Sequence, residues 1–133
     1  MKTRDKLARL GLVGASLYVG ACVVLYLRQG KLIYMGDRKA RGDLPPHFTR
    51  WEDEGEFLGY KREREQPDAL VFMHGSAYSA REWTRATEHF PGDTYVVEYP
   101  GYGEKQGTPS ALSVRQAGLR GFDAVPPHLG ITL

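Results

Sequence analysis

At 133 residues and a formal charge of +2, the chain has room for at most one ordinary domain. The charge is unevenly spread: residues 1–27 carry +3, residues 28–50 carry +4 and the remainder carries −5. An acidic folded part repels phosphate, so no nucleic-acid partner is expected. Cys22 is the one cysteine, which excludes an intrachain disulfide or a multi-cysteine metal site. His47, His74, His89 and His128 lack the short pair spacings of zinc ligands, so neither a metal nor a cofactor is expected.

Residues 10–27 contain no charged side chain, and Leu7 and Ala8 extend the run past Arg9. At about 1.5 Å per residue, some 18–20 residues cover roughly 27–30 Å, the hydrocarbon thickness of a bilayer. Residues 7–27 therefore read as a transmembrane signal anchor, with the lipid bilayer as partner. A cleaved secretory signal is disfavoured because its apolar core is shorter, about 7–15 residues. A lipoprotein signal is the third reading, since Val19-Gly20-Ala21 precedes Cys22; against it, the apolar run continues from Val23 to Leu27. Basic residues stand on both sides (Lys2, Arg4, Lys6 and Arg9; Arg28, Lys31, Arg38, Lys39 and Arg41), so the positive-inside comparison selects no orientation. Residues 28–50 then read as a basic juxtamembrane linker, broken by Gly36, Gly42, Pro45 and Pro46.

The folded part is expected over residues 51–133. Residues 51–65 carry the alternation of a strand pair turning near Gly55, with Leu58 and Tyr60 on one face. Residues 69–73, Ala-Leu-Val-Phe-Met, form a short continuous apolar run, as in a parallel strand buried on both faces. Ser79 with Glu82 three residues on makes a capping box, which predicts a helix over residues 80–90 ending at Pro91-Gly92. Residues 94–99 read as a second buried strand. Ser110 caps a helix whose apolar face includes Leu112, Ala117 and Leu119, ending before Pro126-Pro127, and residues 129–133 read as a last strand. Alternating strands and helices imply right-handed crossovers, and so a mostly parallel sheet with helices on both faces.

In such sheets the ligand site lies beyond the carboxyl ends of the strands. His74-Gly75-Ser76 follows the run 69–73 there, and glycine allows the sharp turn that frees the next amide to point into a cleft. Free backbone N–H groups aimed at a developing oxyanion are what acyl transfer requires.

Together with Trp83 in the first helix, and with Glu98-Tyr99-Pro100-Gly101-Tyr102-Gly103 followed by Gly107-Thr108-Pro109-Ser110, this turn resembles the α/β-hydrolase superfamily. The likeness is to its serine-hydrolase branch with an N-terminal membrane anchor, and it extends over roughly residues 30–133, taking in Lys31-Leu32-Ile33-Tyr34. It implies an incomplete α/β-hydrolase fold preceded by one transmembrane helix, and a small-molecule ester, thioester or amide as substrate. It also implies that Ser76 supplies an oxyanion-hole amide through its backbone, with His74 and Gly75 supporting the turn. By the same resemblance Ala77 and Tyr102 stand beside the substrate, and His74 is not the triad base.

The family's nucleophile sits in a Gly-x-Ser-x-Gly elbow after the next strand, followed by the acid and the histidine. That strand corresponds to residues 128–133, so the expected chain is an N-terminal fragment that stops before the elbow; no Gly-x-Ser-x-Gly occurs in it. Without nucleophile, acid and base, only residual catalysis is expected. The alternative is a non-catalytic membrane-anchored binding or interaction module. A dinucleotide reading of the glycines at 101, 103 and 107 is disfavoured by Pro100 before the loop and Pro109 after it.

Overall fold

The structure, a computed structural model, describes residues 2–35, 39–127 and 129–132. Gly36, Asp37 and Arg38 of the expected linker, and His128 and Leu133 of the expected last strand, lie outside the described residues. The chain divides into two compact units, Met1–Ile33 and Tyr34–Leu133.

The first unit is helix α1, Lys2–Ile33. Its stretch Thr3–Ile33 is long and apolar enough to cross a membrane, with a mean hydropathy of 2.1 in the apolar window. Its leucines, valines and tyrosines are exposed along the whole length, and Cys22 is exposed in mid-helix. The helix runs past the expected end at residue 27, through Arg28, Lys31 and Ile33, because nothing in that stretch breaks it. Residues 28–33 of the expected linker are thus helical. Pro45 and Phe48 are buried and Leu44 packs against the core, so the folded part begins before Trp51.

The second unit is built on a five-stranded sheet in the order β1-β2-β4-β3-β5. Strands β1 (Thr49–Asp53) and β2 (Glu56–Arg62) form the expected hairpin. Its two-residue turn has positive φ at both Glu54 (50°) and Gly55 (82°), the turn geometry that matches the twist of the flanking strands. β2 pairs antiparallel with β4 (Asp93–Val97), which pairs parallel with β3 (Asp68–Met73). β5 (Gly130–Thr132) pairs parallel with β3 on its other side. The expectation of a mostly parallel sheet is corrected, because two of the four pairings are antiparallel. The β1–β2 ribbon joins β4 edgewise, without a crossover.

The register between β1 and β2 shifts after Trp51, with Trp51 opposite Gly59 but Glu52 opposite Phe57. The extra residue is Leu58, and the bulge reverses the alternation beyond it. Leu58 consequently faces one core with Trp51, Val71, Tyr95 and Val97, while Tyr60 faces the other with Phe48, Ala80 and Val96. The expected placement of Leu58 and Tyr60 on one face is thereby overturned.

Helix α2 is only Ala80–Thr84, where a helix to residue 90 was expected. Two kinds of competing hydrogen bond end it. Thr84 Oγ1 donates to Arg81 O (2.7 Å), and Thr87 Oγ1 donates to Thr84 O (3.0 Å), so hydroxyls take helix carbonyls. Beyond that, the Arg62 guanidinium collects the carbonyls of Glu88 and Phe90 (2.6 Å for the latter) as well as Thr94 Oγ1 at 3.0 Å. Those carbonyls turn toward a buried cation instead of along a helix axis.

Helix α3, Ala111–Ala124, starts at the expected cap: Ser113 N–H donates to Ser110 Oγ at 3.1 Å. Its buried face is Ala117, Gly118 and Gly121, with Val114 packed against the same core. Leu112 (63% exposed) and Leu119 (54%) lie on the other side, which corrects two of the three residues expected to be buried. Small residues win because α3 lies close against the sheet. A Cβ on Gly121 would come within 2.8 Å of Val97 Cγ2, and one on Gly118 within 3.2 Å of Met73 Sδ.

Candidate functional site

β3 and β4 run parallel and end side by side, so the segments that follow them share one end of the sheet. After β3 come His74, Gly75, Ser76 and Ala77; after β4 come Glu98, Tyr99 and the glycine-rich loop. The His74 and Glu98 side chains are wholly buried and meet there, Nε2 to Oε1 at 3.0 Å. The same carboxylate accepts the Ala80 N–H at the start of α2, 3.1 Å from each oxygen. Glu82 accepts the Ser79 N–H at 2.9 Å, the Glu82 half of the expected capping box. Gly103 closes over Glu98: a Cβ there would overlap Oε2 and approach Ser79 Cβ to 3.1 Å. One buried carboxylate thus ties together the turn after β3, the start of α2 and the loop after β4.

His74 stacks on Tyr99 (4.4 Å between centroids) and meets the Tyr102 ring edge-on at 5.5 Å. Burial, and then the adjacent Glu98 carboxylate, push the Tyr99 phenol up to about 12. The second ring nitrogen of His74, Nδ1, lies 2.7 Å from Gly75 O. Both ring nitrogens thus face oxygen atoms, Glu98 Oε1 and Gly75 O.

Two anchors decide the direction of the turn. Gly75 O is held by His74 Nδ1, and Ser76 O accepts the Tyr102 hydroxyl at 3.3 Å. The described peptides are all trans, and in a trans peptide the C=O and the following N–H point in opposite directions. The Ser76 and Ala77 N–H groups therefore point away from His74 and Tyr102. No hydrogen bond to either amide is found among the described residues. Ser76 is exposed and Ala77 half-buried.

The residues singled out in the sequence thus divide by position. His74, Gly75, Ser76 and Ala77 form the turn. Tyr102 lies beneath it, 1% exposed, as a support. Glu98 and Glu104 stand in no motif that assigns them a role from sequence. A signal for Glu98 is nonetheless present, as a lone carboxylate directly following the buried run 93–97.

Glu104 anchors the far side of the loop. It accepts from the Tyr60 hydroxyl (2.7 Å) and Arg50 (2.7 Å) and forms an ion pair with Arg81 at 3.2 Å, while Arg81 Nε donates to the Tyr60 oxygen at 3.1 Å. The hydrogen bond from Tyr60 holds the Glu104 carboxyl below the usual range, and burial followed by the Glu104 hydrogen bond pushes the Tyr60 phenol up to about 12. A phenol that resists ionisation when folded keeps its proton longer than the unfolded chain does, whose tyrosines titrate near pH 10. The contribution of Tyr60 and Tyr99 to stability is complete below about pH 10 and is lost as pH rises toward about 12. The midpoint temperature is expected to be flat from pH 8 to about 10 and to fall above it. Melting curves across pH 8–12 test this; a midpoint unchanged to pH 12 would contradict it.

Among the described residues no three His, Cys, Asp or Glu side chains converge to hold a metal ion. Comparison with known proteins finds no match: no family model, no curated protein and no solved structure matches this chain.

Proposed function

We propose that the turn 74–77 is the oxyanion-binding half of an acyl-transfer site, in a membrane-anchored serine hydrolase acting on an ester, thioester or amide. The observation that carries this reading is the pair of carbonyls engaged by His74 and Tyr102, with the Ser76 and Ala77 amides on the opposite sides of those peptides left without a hydrogen bond among the described residues. Adjacent N–H donors fixed before substrate arrives stabilise a tetrahedral oxyanion without reorganising, the property that makes such sites effective. Supporting it are the strand order β1-β2-β4-β3-β5, in which the turn follows a central parallel strand, and a helix α1 long enough to span a bilayer. In this reading Tyr102 is a positioning residue, and Ala77 is the one that meets substrate. No Gly-x-Ser-x-Gly lies within these 133 residues, and this reading assigns no nucleophile among them.

The test uses the full chain in detergent micelles with a small alkyl phosphonate as oxyanion mimic. The Ser76 and Ala77 amide signals are expected to shift saturably. Tyr102→Phe, which frees the Ser76 carbonyl, is expected to weaken binding by roughly two- to tenfold, the value of one hydrogen bond. A fluorophosphonate probe is expected not to label this chain; labelling would reveal a nucleophile within it. Should the two amides not respond to the phosphonate, the oxyanion reading fails. The second reading, a non-catalytic interaction module, then gains ground, favoured by Leu112, Leu119 and Phe122 exposed together along α3.

A further inference from the structure

Tyr102 is fixed by its own loop. Its N–H donates to Tyr99 O (3.0 Å), its carbonyl accepts the Lys105 N–H (2.9 Å), and its ring lies edge-on to those of His74 and Tyr99. Those contacts place the ring but do not aim the hydroxyl hydrogen, which turns to suit its partners. A further partner aims it. The backbone of Met35, the second residue of the folded unit, hydrogen-bonds the Tyr102 phenol. The sense of that bond follows from its electrostatic effect: burial pushes the Tyr102 phenol up, and the Met35 backbone draws it back down. An N–H aimed at the phenolic oxygen favours the ionised form, whereas a carbonyl would accept the phenol's proton and hold it on. Met35 is therefore the donor. With its oxygen accepting from Met35, the phenol directs its single proton to Ser76 O at 3.3 Å.

We propose that Met35 is a positioning residue for the turn after β3, acting through Tyr102. The chain of groups runs from the Met35 N–H to the Tyr102 hydroxyl, then to the Ser76 carbonyl, and across that peptide to the Ala77 N–H. Hydrogen bonds in such a chain polarise one another, so a donor on the phenol makes the phenol a better donor to Ser76. Tyr102 is 1% exposed, which leaves little room for water to take the place of a lost partner. Met35 acts through its backbone, so the identity of its half-exposed side chain is secondary. Its place in the chain gives the brace a meaning. Helix α1 ends at Ile33, and Met35 is the second residue after it. The segment that leaves the membrane-length helix thus supports the turn and is not a passive tether. The consequence for oxyanion binding rests on the acyl-transfer reading of the turn; the brace itself does not.

The experiment reads the backbone amides of the full chain in detergent micelles by NMR. Hydrogen exchange at Met35 is expected to be roughly two- to tenfold faster in Tyr102→Phe than in wild type, the worth of one hydrogen bond. Met35→Pro, which deletes the donor, is expected to move the unliganded Ser76 and Ala77 signals in the same direction as Tyr102→Phe does. Met35→Ala keeps the donor and is expected to leave them in place. With the alkyl phosphonate, Met35→Pro is expected to weaken binding by no more than Tyr102→Phe, and the double variant no further than Tyr102→Phe alone, because both act in one chain. Additive losses, or Met35→Ala behaving as Met35→Pro does, would mark a merely structural contribution and overturn the proposal. It is equally overturned if Met35 exchanges as fast in wild type as in Tyr102→Phe, or if Met35→Pro leaves both amides unmoved. Should Met35→Pro not fold, the exchange comparison decides. A phosphonate that shifts neither amide in wild type ends the acyl-transfer reading, while exchange and the unliganded signals still decide the brace.

Discussion

Glu98→Ala is expected to destabilise the folded unit by about 2–5 kcal/mol, since it leaves buried hydrogen-bond partners without their acceptor and empties the space that the side chain fills. The size follows from what the carboxylate holds. His74 Nε2 at 3.0 Å and the Ala80 N–H at 3.1 Å both lose their acceptor, and neither position is open to water, since the His74 side chain and Ala80 are fully buried. The space left behind lies beside Gly103, whose lack of a side chain is what makes room for the carboxylate. Glu98→Gln separates charge from shape: its amide oxygen still accepts from Ala80, while the charge opposite His74 is gone, so a smaller loss is expected. Urea unfolding followed by tryptophan fluorescence reads both variants, because Trp51 and Trp83, the chain's two tryptophans, lie in the folded unit. A loss below about 1 kcal/mol for Glu98→Ala would place it with ordinary surface substitutions and remove Glu98 from the centre of the site.

Gly59→Ala is expected to cost at least about 3 kcal/mol, as backbone strain and overpacking at one position. Gly59 has φ of 147°, a conformation that a residue with a side chain rarely adopts. A Cβ there would overlap Val96 O and lie 2.9 Å from Glu98 N. Both are backbone atoms of β4 and its continuation, so no side chain can rotate away to make room. Relief requires β2 to move off β4, which breaks the antiparallel pairing between Gly59 and Val97 and the neighbouring Glu98 N–H to Leu58 O bond of 2.8 Å. The control is Gly55→Asn in the hairpin turn, also at positive φ (82°) but with open space around it. Asparagine tolerates that conformation, so the control is expected to cost much less, about 1 kcal/mol or below. Equal losses at the two glycines would show that φ alone, and not the closeness of β4, governs position 59.

Elements with a local signal are legible in the amino-acid sequence. The charge-free run predicts the apolar helix, although not its continuation to Ile33, because a membrane-length pattern marks a minimum and helix propagation does not stop at a charge. The hairpin, strands β3 and β4 and the Ser110 cap each rest on residues within a few positions of one another. The turn at His74-Gly75-Ser76 is legible as well, since a short apolar run stopping at His-Gly marks a strand end.

What the sequence by itself determined, then, was the succession of elements and the place of the turn, since period, capping and glycine chemistry act over only a few residues. Tertiary structure alone decided which faces are buried and which groups meet. The bulge at Leu58 turned Tyr60 to the opposite core; Arg62 drew the carbonyls of residues 88 and 90 away from α2, although it lies more than 20 residues earlier. The close seat of α3 selected Gly118 and Gly121 over Leu112 and Leu119. Glu98 and His74 are separated by a helix and a strand, yet they form the pair on which the turn rests. The physical reason is common to all four: a buried polar group or a tightly filled space must be matched by whatever part of the chain the sheet order brings alongside, and that order is a property of the folded sheet.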